Sequence, residues 1–311
     1  MTDAPTPQIV TVAVCTFRRN DLLSSLVHTV DRLVATEAPD ASVGMLVVDD
    51  SPEGGAAETV EALRDRVSVA LTYGASAAAD ISIARNYALQ RAAQGSNFVA
   101  CLDDDCVPHE GWLRELLRVA DGQQADIVVG HRQFVAATTA PRWLRQQPFL
   151  AENLQYADSS VPVSGNTANM LVRSSWLSSS GVSFRSEMGA VGGEDMVFFA
   201  DAEKVGANIR FSSGSICDEP CEGKRATFRY QAWRQVWLGN NEAVINRTTR
   251  QFTRTRMAVR GTKRVVIGLT HPLVRLLRRQ SPQLHWAVAL TGSGIGLLAG
   301  VAGLRLHHRS F

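Results

Sequence analysis

The chain lacks the features that most readily place a sequence among secreted, disulfide-rich or repeat proteins. Its five cysteines are odd in number and follow no tight pairwise spacing: Cys15, Cys101, Cys106, Cys217 and Cys221. This pattern favours a reduced, cytosolic compartment, with Cys217 and Cys221 as small buried side chains rather than half of a metal site. Residues 1–8 are polar and acidic, so we expect no secretory signal there. No internal repeat is apparent.

Acidic residues are nearly missing from the C-terminal part of the chain. Up to Gly223 there are 16 Lys and Arg against 29 Asp and Glu, whereas from Lys224 onward there are 16 against one, Glu242. An acidic body can hold a cation, and a basic segment suits an anionic partner. We therefore predict a catalytic domain over residues 1–223 and a basic helical region over residues 224–311.

Short apolar runs alternate with helical patterns in the N-terminal part. The runs are typical of strands buried on both faces and are Ile9 to Cys15, Val43 to Val48, Val67 to Leu71, Phe98 to Leu102 and Asp126 to Gly130. Apolar residues three and four apart predict helices over Asp21 to Val34, Glu58 to Arg66, Ile81 to Ala93 and Glu110 to Val119. This alternation predicts an α/β fold with a mostly parallel, nucleotide-binding sheet and helices on both faces. Further on, we expect a strand over Thr167 to Val172 and helices over Glu194 to about Val205 and Thr227 to about Arg250.

Polar residues follow three of the predicted strands. They are Thr16, Phe17 and Arg18 after the first, Asp49, Asp50 and Ser51 after the second, and Asp103, Asp104 and Asp105 after the fourth. Because ligands bind beyond the carboxyl ends of parallel strands, we expect these residues to share one crevice. The three aspartates repel one another unless a cation or solvent neutralises them, and Mg²⁺ or Mn²⁺ with a diphosphate fits that need. A solvated acidic turn is the alternative.

Several motifs together resemble the family 2 inverting glycosyltransferases with the GT-A fold. They are Val12-Ala13-Val14-Cys15-Thr16-Phe17-Arg18-Arg19, Val47-Val48-Asp49-Asp50-Ser51, Ile83-Ala84-Arg85-Asn86, Leu102-Asp103-Asp104-Asp105 with Pro108 and Gly111-Trp112-Leu113, and Gly193-Glu194-Asp195. The resemblance covers roughly residues 9–240 and depends on the order and spacing of the motifs. It implies transfer of a sugar from a nucleotide diphosphate donor, with UDP as the favoured nucleotide.

The resemblance also implies roles for individual donor-side residues. Thr16, Phe17 and Arg19 match the loop that frames the nucleotide, Asp50 the carboxylate that binds the base, and Arg85 the arginine near the donor phosphates or sugar. Asp103 and Asp104 correspond to residues beside the ribose and donor, and Asp105 to the ligand of Mg²⁺ or Mn²⁺. Each has a structural alternative: Asp50 could cap a helix, and Arg85 could pair with a surface carboxylate.

The acceptor side is expected to comprise Asn166, Trp143 and Glu194. Asn166 belongs to the segment Gly165 to Asn169, which resembles the acceptor-side segment of the family, although its asparagines could equally form turns. The irregular stretch from Pro141 to Val163, with Trp143, Phe149 and Tyr156, is interpreted as a loop or short-helix region roofing this side.

Asp195 corresponds to the general base of the family. An inverting transfer needs a carboxylate on the far side of the sugar from the leaving diphosphate, and a helix N-terminus keeps that carboxylate ionised. Gly192 and Gly193 predict a tight turn that opens such a helix directly before it. The alternative is that Glu194 and Asp195 are only first-turn charges that interact with the helix dipole.

Two family features are missing. Some relatives use a histidine after the last sheet strand as a metal ligand, whereas this chain has Cys217, Asp218, Glu219 and Pro220 there. The Gln-x-x-Arg-Trp signature of processive relatives is also absent, because Gln235 follows Arg234. We therefore expect one sugar to be transferred per encounter.

The C-terminal region predicts contact with a membrane. Leu284 to Leu304 is 21 residues without a formal charge, long enough to cross a hydrocarbon core, with Gly292, Gly296 and Gly300 at four-residue intervals. It could span, re-enter or be a buried helix. The basic stretch before it suits the anionic cytoplasmic face of the cell membrane, and no nucleic-acid motif accompanies the charge.

The favoured function is therefore transfer of a single sugar to a hydroxyl of a glycan or polyprenyl-linked acceptor. A nucleotidyltransferase on the same fold and a non-catalytic membrane scaffold that binds nucleotide sugars are the alternatives. The chain lacks the glycine-rich, basic phosphate loop that a nucleotidyltransferase is expected to have near the first strand.

Overall fold

The computed structural model describes residues 7–37, 41–145, 156–162, 165–189, 191–249 and 251–307. These residues divide into two compact units. The first unit lies within Met1–Gln133, Leu154–Gly189 and Glu194–Glu219, and the second within Phe134–Asn153, Ala190–Gly193 and Pro220–Phe311. Phe149 of the predicted roof lies outside the described residues. The division at Gly223 stays a prediction.

The described residues form eight strands and ten α-helices. The strands are β1 (Gln8–Thr16), β2 (Ala41–Asp49), β3 (Ala70–Ala75), β4 (Phe98–Asp103), β5 (Val107–Pro108), β6 (Ile127–Ala136), β7 (Asn169–Arg173) and β8 (Ile209–Cys221). The helices are α1 (Asn20–Glu37), α2 (Ala57–Arg64), α3 (Ile81–Ala93), α4 (Trp112–Gly122), α5 (Arg142–Arg145), α6 (Ser174–Ser180), α7 (Glu194–Lys204), α8 (Phe228–Thr249), α9 (Arg254–Leu277) and α10 (Leu284–Ala302).

All eight strands belong to one sheet in the order β3-β2-β1-β4-β7-β6-β8-β5. The strands β3, β2, β1 and β4 are parallel neighbours, and β7 pairs antiparallel with both β4 and β6. Apolar side chains leave both faces of the central strands: Val12 joins the core beneath α1, α2 and α4, whereas Ala13 joins the core beneath α3 and α7. Burial on both faces explains the continuous apolar runs. The predicted α/β fold is confirmed.

Several strands differ from the sequence prediction. The short strand β5 has no predicted counterpart, and β6 continues to Ala136 instead of ending at Gly130. The strand β3 begins at Ala70 rather than Val67, because Asp31 of α1 accepts the backbone N–H groups of Ser68 and Val69, at 2.7 and 2.8 Å. The strand β8 was not predicted as an element. Serines and acidic residues interrupt its apolar pattern, and the sheet nevertheless buries every second side chain along much of its length.

In the second unit, α10 packs closely against both α8 and α9. A Cβ atom on Gly300 would lie 2.6 Å from the Ala243 Cβ of α8, and one on Gly294 would lie 2.7 Å from the backbone oxygen of Gly261 in α9. Leu297 is fully buried with Ala243 and Met257. Glycines of α10 therefore allow close helix packing inside this unit.

Candidate active site

Three polar strand ends meet at one edge of the sheet. The strands β2, β1 and β4 are neighbours and run parallel, with Thr16 in register with Asp49 and Cys15 in register with Asp103. The carboxyl ends of these strands therefore lie side by side, as the sequence predicted.

Asp104 and Asp105 converge on Arg19. Its Nη1 donates to Oδ1 of Asp104 at 2.9 Å and to Oδ2 of Asp105 at 3.1 Å. Asp104 also accepts a hydrogen bond from Thr16 Oγ1 at 2.8 Å and is only 5 % exposed. Burial raises the pKa of Asp104 to about 6, against the opposing effect of Arg19. The two carboxylates thus lie on either side of the Arg19 guanidinium, whose charge opposes their mutual repulsion.

This arrangement fits part of a Mg²⁺ or Mn²⁺ site. Two converging carboxylates, completed by phosphate oxygens of a substrate, are a donor set that these ions accept. No group of three or more His, Cys, Asp and Glu side chains that could hold a metal occurs within the described residues. Asp218 and Glu219 are otherwise engaged, since Asp218 pairs with His109 and Glu219 with Arg132.

Asp103 faces a different partner, Arg85 of α3. Nη2 of Arg85 donates to Oδ1 of Asp103 at 3.0 Å, and its Nη1 donates to Oε1 of Glu194. Burial alone would lower the pKa of Arg85, but Asp103 and Glu194 raise it above its usual value. Arg85 therefore links the end of β4 to the first turn of α7.

The helix α3 is fixed at its start by Asp80. Its side chain accepts the N–H groups of Ser82 and Ile83, at 2.9 and 3.2 Å, as an N-cap residue does. Arg85 follows one turn later, where it also lies over the ring of Phe184 at 5.8 Å. The N-cap thus fixes the start of α3 and, with it, the position of the Arg85 backbone.

Asp195 lies in the first turn of α7. Gly192 and Gly193 precede it with φ angles of +86° and +82°, which suit glycine and turn the chain into the helix. Oδ1 of Asp195 accepts the N–H of Met196 at 2.7 Å, and the carboxylate forms no ion pair with the described residues. Burial and the neighbouring Glu194 raise its pKa to about 6, whereas Arg85 and Arg132 lower it. Asp195 is thus a half-buried carboxylate whose pKa lies above its usual range.

The two aspartates after β2 have different environments. Asp49 accepts the N–H groups of Ser51 and Ala56, at 2.8 and 2.7 Å, and so stabilises the turn into α2. Asp50 instead accepts from Ser76 Oγ and the Ala78 N–H, at 2.8 and 3.2 Å. Burial raises the pKa of Asp50. The side chain that holds the turn before α2 is therefore that of Asp49, and the contacts of Asp50 are with the loop after β3.

The loop beside Asp50 is conformationally unusual. Ala77 and Ala79 both have a φ of +50°, which costs energy for a residue with a Cβ. The Ala79 N–H donates to the backbone oxygen of Asp50 at 3.0 Å. Phe17, after β1, is 41 % exposed, with Arg18 over its ring at 4.9 Å. An exposed ring and a fixed carboxylate therefore lie at the ends of neighbouring strands.

Among the hydrogen bonds and ion pairs of the described residues, Glu194 is the predicted acceptor-side residue that contacts another predicted site residue, Arg85. Asn166 has a buried Oδ1 with no hydrogen-bond partner among the described residues. Trp143 lies in the second unit, where its ring packs edge-on against Phe228 at 5.4 Å. Asn169 is structural, because its side chain donates to the backbone oxygens of His131 and Ser215.

Sequence reasoning missed Arg132 as a charge near the site. Arg132 lies on β6, pairs with Glu219 at 2.8 Å and lowers the pKa of Asp195. Neither Arg132 nor Glu219 belongs to a recognised motif, and only the pairing of β6 with β8 brings them together. No local sequence signal could have identified this pair.

Comparison with known proteins shows the family to which the chain belongs. The model of glycosyl transferase family 2 matches residues 11–177. The succinoglycan biosynthesis protein ExoM of Rhizobium meliloti (strain 1021) is 33 % identical over 229 residues, which are 73 % of this chain and 72 % of ExoM.

Solved structures of TarS from S. aureus share the fold. TarS 1-349 has a TM-score of 0.51 at 15 % identity, over 94 % of this chain and 90 % of that one. Its complex with UDP-GlcNAc gives the same TM-score, identity and coverage. Its complex with UDP has a TM-score of 0.50 at 16 % identity, over 93 % and 90 % of the two chains. On the family match and the ExoM relationship together, this chain belongs to glycosyl transferase family 2 and is a glycosyltransferase.

Proposed function

We propose that this glycosyltransferase transfers a single sugar from a UDP-sugar to a hydroxyl of a glycan or polyprenyl-linked acceptor, with inversion at the anomeric carbon. Family membership favours sugar transfer over nucleotidyl transfer and over non-catalytic binding. The relationship to a succinoglycan biosynthesis protein supports a role in the synthesis of a cell-envelope polysaccharide. The solved TarS complexes with UDP and UDP-GlcNAc support a UDP-linked donor.

The nucleotide binds at the ends of β1 and β2 in this proposal. Asp50 accepts the N3–H of uracil, and Phe17 and Thr16 frame the nucleotide. Support comes from the fixed position of Asp50, whose carboxylate is held by Ser76 and the Ala78 N–H. The exposed ring of Phe17 offers an apolar face against which a base can stack.

The diphosphate lies over Asp103, Asp104 and Asp105. Asp105, with Asp104 beside it, would hold Mg²⁺ or Mn²⁺, which would supply positive charge to stabilise the departing UDP. Arg19 contributes a second positive charge at this position, since it already contacts both carboxylates. Asp103 lies toward the sugar, where Arg85 fixes its carboxylate.

Asp195 acts as the general base. It accepts the proton of the acceptor hydroxyl while that oxygen bonds to the anomeric carbon and the bond from this carbon to the diphosphate oxygen breaks. The observation that carries the proposal is that Asp195 has a raised pKa and forms no ion pair with the described residues. The neighbouring Glu194, in contrast, pairs with Arg85. At a pKa of about 6, about nine tenths of Asp195 is ionised at pH 7, so the base is available.

A donor-turnover assay tests the proposal. Release of UDP from a panel of UDP-sugars is measured with Mn²⁺ and a saccharide acceptor, and donor binding is followed by thermal shift. Asp195→Asn should keep donor binding and lower turnover by about a hundredfold or more. Glu203→Gln, an exposed carboxylate of the same helix, is the matched control and should behave as the wild type. Unchanged turnover in Asp195→Asn would refute the base assignment, and absence of binding by every UDP-sugar would refute the donor.

We place the enzyme on the cytoplasmic face of the cell membrane, attached through its C-terminal region. Among the described helices, α10 alone has the length and composition needed to cross a membrane, with a mean hydropathy of 1.5. The preponderance of basic residues after Lys224 suits anionic headgroups. A polyprenyl-linked acceptor would be presented at the same surface.

A further inference from the structure

The second unit exposes an apolar stripe on α9. Its members are Val259, Val266, Leu269, Leu273, Leu276 and Leu277, with exposed fractions from 53 to 86 %. At 3.6 residues per turn they share one side of the helix, opposite Met257, Gly261 and Gly268, which are buried. Thr262 lies on the same face between Val259 and Val266, but six exposed large aliphatic side chains on one side of a helix are uncommon on a water-soluble surface, so this stripe is expected to bind a partner.

The charge around the stripe indicates what that partner is. The only acidic residue after Lys224 is Glu242, and it pairs with Arg260 and Arg264, at 3.2 and 2.6 Å. Lys263, on the flank of the stripe, has no carboxylate partner among the described residues of the unit. A second copy of the same face would bring like charges together, so an anionic partner fits better.

The side-chain types favour lipid over protein. The stripe consists of valine and leucine only, whereas the cores of protein interfaces are enriched in aromatic residues and methionine. An aliphatic stripe flanked by Lys and Arg is typical of helices that lie in the headgroup region of a membrane. The stripe also runs along the helix axis, as contact with a flat surface requires.

The helix α10 has a different role. A Cβ atom on Gly296 would overlap the backbone oxygen of Val236 in α8, and one on Gly294 would lie 2.8 Å from the Val265 nitrogen of α9. Two sides of α10 are therefore occupied by protein. Its glycines serve contacts within the unit, and Ile295, 51 % exposed, lies on the side that these contacts leave open.

We propose that the outer stripe of α9 is an anionic-lipid docking surface that lies in the plane of the membrane, and that α10 supports it from within rather than spanning the bilayer. This inference rests on the membrane location proposed above and is independent of the sugar-transfer chemistry. The surface holds the enzyme at the membrane through apolar contact and through attraction of the basic residues to anionic headgroups.

Vesicle flotation of the full chain tests the inference. Preformed vesicles of phosphatidylcholine alone, or with about one third phosphatidylglycerol, are compared at about 0.1 and about 0.5 M salt. We expect flotation with the anionic vesicles at low salt and its loss at high salt or with neutral vesicles. The double variant Leu273→Glu/Leu277→Glu should bind anionic vesicles at least about tenfold more weakly, because two leucines leave apolar contact.

The control is Leu22→Glu/Val205→Glu, which adds the same charge at two exposed apolar positions of the first unit. It should float as the wild type does. Salt-resistant flotation with neutral vesicles would indicate a spanning segment and overturn the in-plane arrangement. Wild-type flotation of the α9 variant, or no flotation of the wild type, would overturn the docking surface. Release of UDP from the donor is measured on the same samples, so failure of the docking surface is distinguished from failure of the enzymatic proposal.

Discussion

Replacing Arg85 with glutamine gives the sharpest test of how the site is organised. Arg85 donates to Asp103 at 3.0 Å and to Glu194, and its positive charge lowers the pKa of Asp195. Glutamine keeps hydrogen-bonding capacity but removes the charge. The change should therefore raise the pKa of Asp195 and leave the general base protonated over a wider pH range.

The size of the effect follows from the wild-type pKa of about 6. An opposite charge at close range shifts a carboxyl pKa by about one to three units, and partial exposure places this case near the lower end. The acidic limb of the pH profile should then move up by roughly one pH unit, so the ionised share of Asp195 at pH 7 falls from about nine tenths to about half. Because Glu194 and Asp195 interact, the acidic limb of the pH profile reports the titration of the two carboxylates together.

The assay is kcat/KM for sugar transfer between about pH 5 and pH 9, with UDP release as the readout. Arg85→Lys retains the charge and is the control, so its limb should stay near that of the wild type. If Arg85 instead binds donor phosphates, Arg85→Gln will raise the donor KM while the limb stays in place. That result would refute the proposed coupling between Arg85 and the base.

Three further changes have defined outcomes. Glu194→Gln removes the like charge beside Asp195, so the acidic limb should move to lower pH, in the opposite direction to Arg85→Gln; an upward shift would contradict the pKa reasoning. A chelator should abolish UDP release, and added Mn²⁺ should restore it in the wild type but not in Asp105→Asn. Full activity in the presence of the chelator would contradict a requirement for a divalent ion. Gly300→Ala should lower the free energy of unfolding by about 1 to 3 kcal/mol in thermal melts, because its Cβ would lie 2.6 Å from a carbon of α8. The control is Gly122→Ala, whose Cβ would meet open space and which should be neutral or stabilising.

The convergence of the strand ends could be predicted from the sequence because it follows from local pattern. Runs such as Phe98 to Leu102 are apolar on both faces, and parallel strands place their carboxyl ends at one edge. The polar residues that follow, among them Thr16 and Asp104, therefore had to come together, and a hydrogen bond of 2.8 Å joins them. Here β1 pairs in parallel with both β2 and β4, so the residues that follow these strands lie at the same edge of the sheet.

The partner of Glu194 could not be predicted in the same way. Glu194 and Arg85 are 109 residues apart, and their contact depends on where α7 starts after the irregular segment that follows α6. Nothing in the periodicity of either helix specifies this distance. The assignment of Glu194 to the acceptor side stays a prediction, and the structure adds that its carboxylate pairs with an arginine bound to Asp103.

The aspartate triplet shows why adjacent, identical residues need separate assignments. A strand end turns as it leaves the sheet, so successive side chains point in different directions. Asp103 is directed to Arg85, whereas Asp104 is buried against Thr16 and both Asp104 and Asp105 contact Arg19. Removing Asp104 would therefore disturb the shape of the loop as well as its charge, whereas Asp105 makes a less buried contact that a phosphate-bound cation can share. The three adjacent carboxylates therefore have different partners, and the proposed function gives them different roles.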